Sequence, residues 1–166
     1  MNIINSRFDD RLVHGCVATL WIPKLDIERV ICIDDASAAD QVSKSILRMA
    51  TPKKCALSVI STETAIENLK ADKYGEQRVL IVTKTPQVFQ KLVENGIQIP
   101  ELVLGNLGNI NRNKSSVKIN RFVTVDDDDF VCLKALHDSG AKLITQLEPD
   151  SPRDEDFYNT MAKARN

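Results

Sequence analysis

The chain has 166 residues, of which 43% are apolar and 27% charged, and a formal net charge of −1. That length is the size of one ordinary domain, read as residues 1–166, and it can bury a core that needs neither disulfide nor metal staples. The charge balance does not point to a nucleic-acid or bulk membrane-surface binder, and no apolar run approaches the ~20 residues of a membrane span.

Cysteines stand at 16, 32, 55 and 132 without C-x-x-C spacing, so no zinc site or redox pair is signalled. The N-terminal MNIINSR lacks the apolar stretch of a signal peptide. A reducing cytoplasm is the expected location, with any membrane role coming through a partner.

In chain order, Ile3-Ile4 is the first strand, and a helix begins near Gly15 and runs through Trp21. Residues 29–33 form a second strand ending in Asp34-Asp35, where Asp35 is placed to cap the next helix. That helix covers 38–50, with Val42, Ile46 and Met49 on one stripe, and Pro52 stops it. Residues 56–60 are a third strand, after which Ser61 caps a helix carrying Ala65, Ile66 and Leu69. Strand 78–83 is followed by helix 87–95 with Gly96 as its terminator, and 101–104 is the fifth strand.

Residues 106–120 are polar and Gly/Asn-rich, a long loop or a small hairpin. Residues 121–125 are a sixth strand. Asp126 to Asp129 then load the positive end of a helix carrying Phe130, Leu133 and Leu136 and ended by Gly140. Residues 141–147 are a seventh strand, and 152–164 a last helix with Asp154 and Glu155 in its first turn.

This alternation predicts an α/β fold: an open, mostly parallel twisted sheet of about seven strands with helices on both faces. The last strand follows its helix closely; it can pair either way and is read as antiparallel.

Sites in such sheets form at the carboxyl ends of strands. The segment after the first strand holds Arg7, Asp9, Asp10, Arg11, His14 and Gly15. His14 would sit at a helix N-terminus, whose free N–H groups and partial positive charge suit a phosphate. Arg7 and Arg11 could add charge-assisted contacts. A neutral imidazole is a competent nucleophile, and Asp9 or Asp10 could fix its tautomer. The alternative for the same residues is a solvated salt-bridge network of little energetic worth.

The stretch Arg7-Phe8-Asp9-Asp10-Arg11-Leu12-Val13-His14-Gly15-Cys16-Val17 resembles the R-I-D-D-R-L-I-H-G-Q-V segment of IIB subunits of the bacterial sugar phosphotransferase system (PTS), mannose/fructose/sorbose family. The likeness continues in Ala18, Thr19, Trp21, Asp34-Asp35, Lys84 to Pro86, Leu92-Val93-Glu94 with Gly96, and the V-x-V-D-x-x-D of Val123 to Asp129. It implies a cytoplasmic phosphocarrier with a phosphohistidine intermediate and no cofactor or metal. The histidine, here His14, takes phosphoryl from the phosphohistidine of a IIA partner, generally on Nδ1. It passes it to a sugar carried by a membrane IIC/IID permease, through which the carrier associates peripherally with the membrane. The resemblance aligns Arg7 and Arg11 with phosphate-binding arginines and Asp9 with the aspartate beside the histidine. It implies no nucleic-acid partner and no membrane insertion, and family members often form homodimers. This chain departs from the family in having Cys16 for the usual Gln and Leu107 for Met. A thiol cannot replace an amide as a hydrogen-bond partner.

Asp10, Lys84 and Gly105 are candidates for the rim of the site. Lys84 ends strand four on the same sheet edge, and Gly105 and Gly108 either let backbone approach closely or serve a turn. His137, in the last turn of the Asp-rich helix, is read as structural. No P-loop or dinucleotide fingerprint is present. Two rival readings remain: a regulatory phospho-sensor or binding module on the same fold, and an unrelated enzyme for a small anionic substrate, which would need a deep pocket.

Overall fold

The computed structural model describes residues 2–108 and 115–165. Six strands form one sheet: β1 (Asn2–Asp9), β2 (Arg29–Ile33), β3 (Ala56–Ile60), β4 (Arg78–Thr83), β5 (Glu101–Asn106) and β8 (Lys142–Thr145), in the order β3-β2-β4-β1-β5-β8. Every pairing in it is parallel. RVICI of β2 and RVLIVT of β4 are almost wholly buried, as strands covered on both faces must be.

The helices are α1 (residues 15–24), α2 (Asp35–Ala39), α3 (Gln41–Ala50), α4 (Thr62–Lys70), α5 (Pro86–Glu94), α6 (Asp127–Asp138) and α7 (Phe157–Arg165). On one sheet face α4 to α7 enclose a core that includes Phe8, Ile81, Phe89, Leu133 and Phe157. On the other, α1 and α3 enclose a smaller one with Val17, Ile22, Val30, Leu47 and Val82. The strand order changes sides at β1, so the carboxyl end of β1 opens where flanking connections diverge, the usual place for a site. No helix among the described residues is long and apolar enough to cross a membrane.

Several expectations are corrected. The last strand is parallel, Glu101 to Leu104 pairing with Lys142 to Thr145, because α6 crosses over the sheet and returns the chain in the same direction. Stretch 121–125 does not join the main sheet. Asn120 Oδ1 accepts the N–H groups of Phe122 and Val123, Val123 makes a single parallel bridge to Leu107 just past β5, and β7 (Thr124–Val125) forms an antiparallel ribbon with β6 (Val117–Lys118). That ribbon answers the loop-or-hairpin alternative on its flanks; residues 109–114 lie outside the described residues.

The helix expected over 38–50 is broken at Asp40, whose carboxylate caps α3 by accepting from Val42 and Ser43. Its Val42, Ile46 and Met49 stripe faces outward, and Leu47 faces the core. Asp34, not Asp35, caps α2; Asp35 instead accepts the Thr62 N–H at the start of α4, 2.6 Å away. The last helix begins at Phe157, because Asp154 exchanges backbone hydrogen bonds with Thr145.

Candidate functional site

β1 runs on past Ile3-Ile4 to Asp9, so Arg7 and Asp9 belong to a strand and not to a loop. Both side chains are fully buried, beside Phe8, which points into the larger core against Phe89. The chain then turns through residues 10–13. Leu12 adopts φ +55, a left-handed conformation costly for a leucine, and its burial holds it there. The Leu12 N–H bonds to the Asp9 carbonyl at 2.9 Å, and the Ala18 N–H to the His14 carbonyl at 2.8 Å. His14 therefore stands where α1 starts, as expected. The middle of α1, Val17–Trp21, is π-wound, a feature frequent at functional sites.

Asp9 is the hub. Its Oδ2 lies 2.9 Å from His14 Nε2 and 3.5 Å from Arg7 Nε, and its Oδ1 accepts the Arg11 backbone N–H at 3.3 Å. The His14 side chain is 15% exposed and that of Arg11 52%. Arg11 Nη2 lies 3.4 Å from His14 Nε2. A guanidinium only donates, and the shorter contact to a carboxylate decides the ring's proton. In the neutral ring this contact places Nε2–H toward Asp9 and leaves the lone pair on Nδ1.

Arg7 is tied into the protein interior. Its Nη1 donates to the Gln146 carbonyl at 3.1 Å and its Nη2 to the Leu147 carbonyl at 2.9 Å. Its Cζ lies 4.7 Å from the centre of the Trp21 ring. Burial pulls its pKa below the ordinary value, opposed by Asp9, and a guanidinium remains charged regardless. Of the expected phosphate contacts, Arg11 is the cation the structure leaves at the surface beside His14.

Trp21 Nε1, at 2.9 Å, and Cys16 Sγ, at 3.4 Å, donate to the same Leu147 carbonyl. Burial pushes the Cys16 thiol up, against the pull of Arg7, so the sulfur stays a neutral donor. A Cβ at Gly15 would meet open space, which leaves room for a group approaching His14.

The rim candidates separate. Asp10 accepts from the Asn106 side chain. Lys84 is paired to Asp34 Oδ2 at 2.8 Å and Ser37 Oγ at 3.2 Å. Burial raises the Asp34 carboxyl, but the bonds from Lys84 and Ser37 outweigh it and hold it below its ordinary range. Asp10 and Lys84 line a cleft of about 420 Å³ with Gln87, Asp126, Asp128 and Asp129. Its walls carry aspartates, the wrong sign for an anionic substrate. There burial, then the charge of Asp126, pushes Asp129 up to about 6. His137 stacks on Tyr158 with centroids 3.9 Å apart, a packing role as expected.

Sequence reasoning missed the Gln146 and Leu147 carbonyls and the burial of Arg7. Backbone acceptors some 140 positions away carry no local signal. A glycine inside a strand was the available one: a Cβ at Gly105 would overlap the Arg7 guanidinium.

A buried aspartate thus faces a largely covered histidine at a helix start, on the switch edge of a parallel sheet where ligand sites form. The model of the PTS system sorbose subfamily IIB component matches residues 3–166, and the chain belongs to that family. It is similar to the sorbose-specific EIIB component of Lacticaseibacillus casei, 29% identical over 91% of this chain and 92% of that protein. It is 30% identical to the mannose-specific EIIAB component of Escherichia coli (strain K12) over 89% of this chain, but spans only 45% of that longer protein. The crystal structure of the IIBSor domain of the Klebsiella pneumoniae sorbose permease superposes with a TM-score of 0.89 and 26% identity, over 98% of both chains. The chain thus shares both the family and the α/β fold of these relatives.

Proposed function

We propose that this IIB component is a phosphohistidine carrier working at the cytoplasmic face of the membrane. His14 takes phosphoryl from the phosphohistidine of a IIA partner and delivers it to a sugar bound by a membrane IIC/IID permease. The observation that carries this reading is the 2.9 Å contact between His14 Nε2 and the buried Asp9 carboxylate. With the proton on Nε2, the Nδ1 lone pair attacks phosphorus in line while the bond to the donor imidazole nitrogen breaks. The leaving nitrogen keeps that electron pair. In a loose transition state charge gathers on the equatorial oxygens, where Arg11 and the N–H groups opening α1 can meet it. Asp9 steadies the imidazole as Nδ1 gains its phosphoryl group; in the second transfer a sugar hydroxyl oxygen bonds phosphorus as the Nδ1–P bond breaks, Nδ1 recovers its electron pair and the hydroxyl proton leaves to solvent or a base of the permease.

Cys16, two positions on, is the competing acceptor by chemistry alone. Its raised pKa and its bond to Leu147 argue against it, since the thiolate is the nucleophile.

The test is intact mass after incubation with phosphoenolpyruvate, the general phosphotransferase proteins and a cognate IIA. Wild type, Cys16→Ser and His137→Ala should each gain one acid-labile phosphoryl group, and His14→Ala none. Labelling lost in Cys16→Ser and kept in His14→Ala would move the acceptor to sulfur. An unlabelled wild type beside a phosphorylated IIA would replace the carrier by a binding or sensor role.

A further inference from the structure

The Arg7 guanidinium occupies a slot that admits no more atoms. β1 and β5 lose register between Phe8 and Asp9: Phe8 pairs with Leu104, but Asp9 pairs with Asn106. The residue skipped is Gly105, so it is the extra residue of a bulge. A Cβ there would overlap Nη2, Cζ and Nε of Arg7 together. The indole of Trp21 lies over the guanidinium, and the carbonyls of Gln146 and Leu147 hold its two terminal nitrogens. The one remaining nitrogen, Nε, has no hydrogen-bond partner of its own and lies 3.5 Å from Asp9 Oδ2. Removing such a cation from water is expensive, and among the described residues Asp9 is the carboxylate paired with it.

We propose that Arg7 is a positioning residue for His14. Seated by the Gly105 bulge and the Gln146–Leu147 carbonyls, it fixes the Asp9 carboxylate and so the Nε2–H tautomer, and it does not touch the phosphoryl group. The assignment deepens the carrier reading and rests on it for its effect on transfer; the tautomer itself is a property of the unphosphorylated protein. Three distant pieces of chain, the end of β1, the bulge in β5 and the segment after β8, thereby meet on one guanidinium. An arginine is required because one rigid plane must serve two carbonyls and face a carboxylate at once. Lysine supplies the charge from a slimmer end without the fork.

The test uses ¹⁵N-histidine NMR on the intact protein, with the general phosphotransferase proteins and a cognate IIA for transfer rates and melting curves as the check on folding. Wild type should show His14 as the Nε2–H tautomer above its titration. Gly105→Ala drives a methyl into Arg7 without altering any charge. It should give a mixture of tautomers and slow phosphorylation by about 10- to 100-fold, the cost of an ångström-scale misplacement. Arg7→Lys should shift the tautomer in the same direction. Because lysine leaves room for the methyl, Gly105→Ala should add little in the Arg7→Lys background, a coupling that independent structural damage would not give.

The proposal is overturned if Gly105→Ala leaves the tautomer and the rate at wild-type values, or if the two substitutions simply add. It is also overturned if Arg7→Lys slows transfer with the tautomer intact, which would make Arg7 a phosphate ligand. Should Gly105→Ala not fold, Trp21→Phe, which takes one donor from the Leu147 carbonyl, must move the tautomer the same way for the proposal to stand. A wild type that holds the Nε2–H tautomer yet accepts no phosphoryl would refute the carrier reading and leave the positioning role in place.

Discussion

Asp9 and Asp129 are both carboxylates drawn out of water near the carboxyl edge of the sheet, and their neighbours give burial opposite uses. Asp9 is completely covered, yet faces Arg7, the Arg11 N–H and His14. Asp129 lies in the first turn of α6, where the helix dipole should favour its charge, but burial first, and then the charges of Asp126 and, less, Asp128, raise it to about 6. At one place the carboxylate is ringed by donors and positions a ring; at the other it is crowded by its own kind. Burial supplies the leverage in both, and the sign of the surrounding charge decides the result.

The sharpest way to break the contrast is Asp9→Asn. It leaves the Arg7 cation buried without a counter-charge, which should cost about 3–5 kcal/mol in urea unfolding. It should also slow phosphoryl transfer to His14 on the order of 10²-fold or more, since an amide can equally donate to the ring and spoil the tautomer.

Trp21→Phe removes one of three donors to the Leu147 carbonyl and thins the aromatic cover over Arg7. Thermal unfolding should show a loss of about 1 kcal/mol.

Asp129→Asn should act in the opposite direction and stabilise. The folded pKa, about 6, lies above the ordinary 3.8, so the folded chain binds more protons than the unfolded chain between those values. That contribution to stability is complete in acid and lost as pH rises through about 6. The variant should therefore match wild type near pH 4 and exceed it near pH 7. The gap should be on the order of 1 kcal/mol, since solvent screens a half-buried group. A gap that does not widen between those pH values would contradict the crowding described for α6.

Cys16→Ser is the smallest expected change. A hydroxyl can still donate to Leu147, so stability should stay within about 0.5 kcal/mol and transfer within about twofold.

Much of this was legible in the sequence. The β-branched runs at 29–33, 56–60 and 78–83 became β2, β3 and β4, and Ser61 caps α4 as expected. The segment from Arg7 to Val17 carried the family and the place of His14. The failures share a cause, polar groups doing buried work. Asn5, Ser6, Arg7 and Asp9 do not read as strand, yet they extend β1, because their partners come from β4, β5 and the segment after β8. The period puts Val42, Ile46 and Met49 on one stripe without saying which way it faces. α3 is turned so that Leu47 meets the sheet, an orientation that pattern cannot fix. The direction of β8 depends on α6 crossing the sheet, which local sequence does not report.

The central claim is that Asp9 holds the His14 proton on Nε2 and leaves Nδ1 to take the phosphoryl group. The most direct measurement is ³¹P and ¹⁵N NMR of the ¹⁵N-histidine protein phosphorylated by its IIA partner. A phosphoryl group on Nδ1 of His14, with Nε2 still protonated, is the result this account predicts. A phosphoryl group on Nε2, or on the sulfur of Cys16, would contradict it.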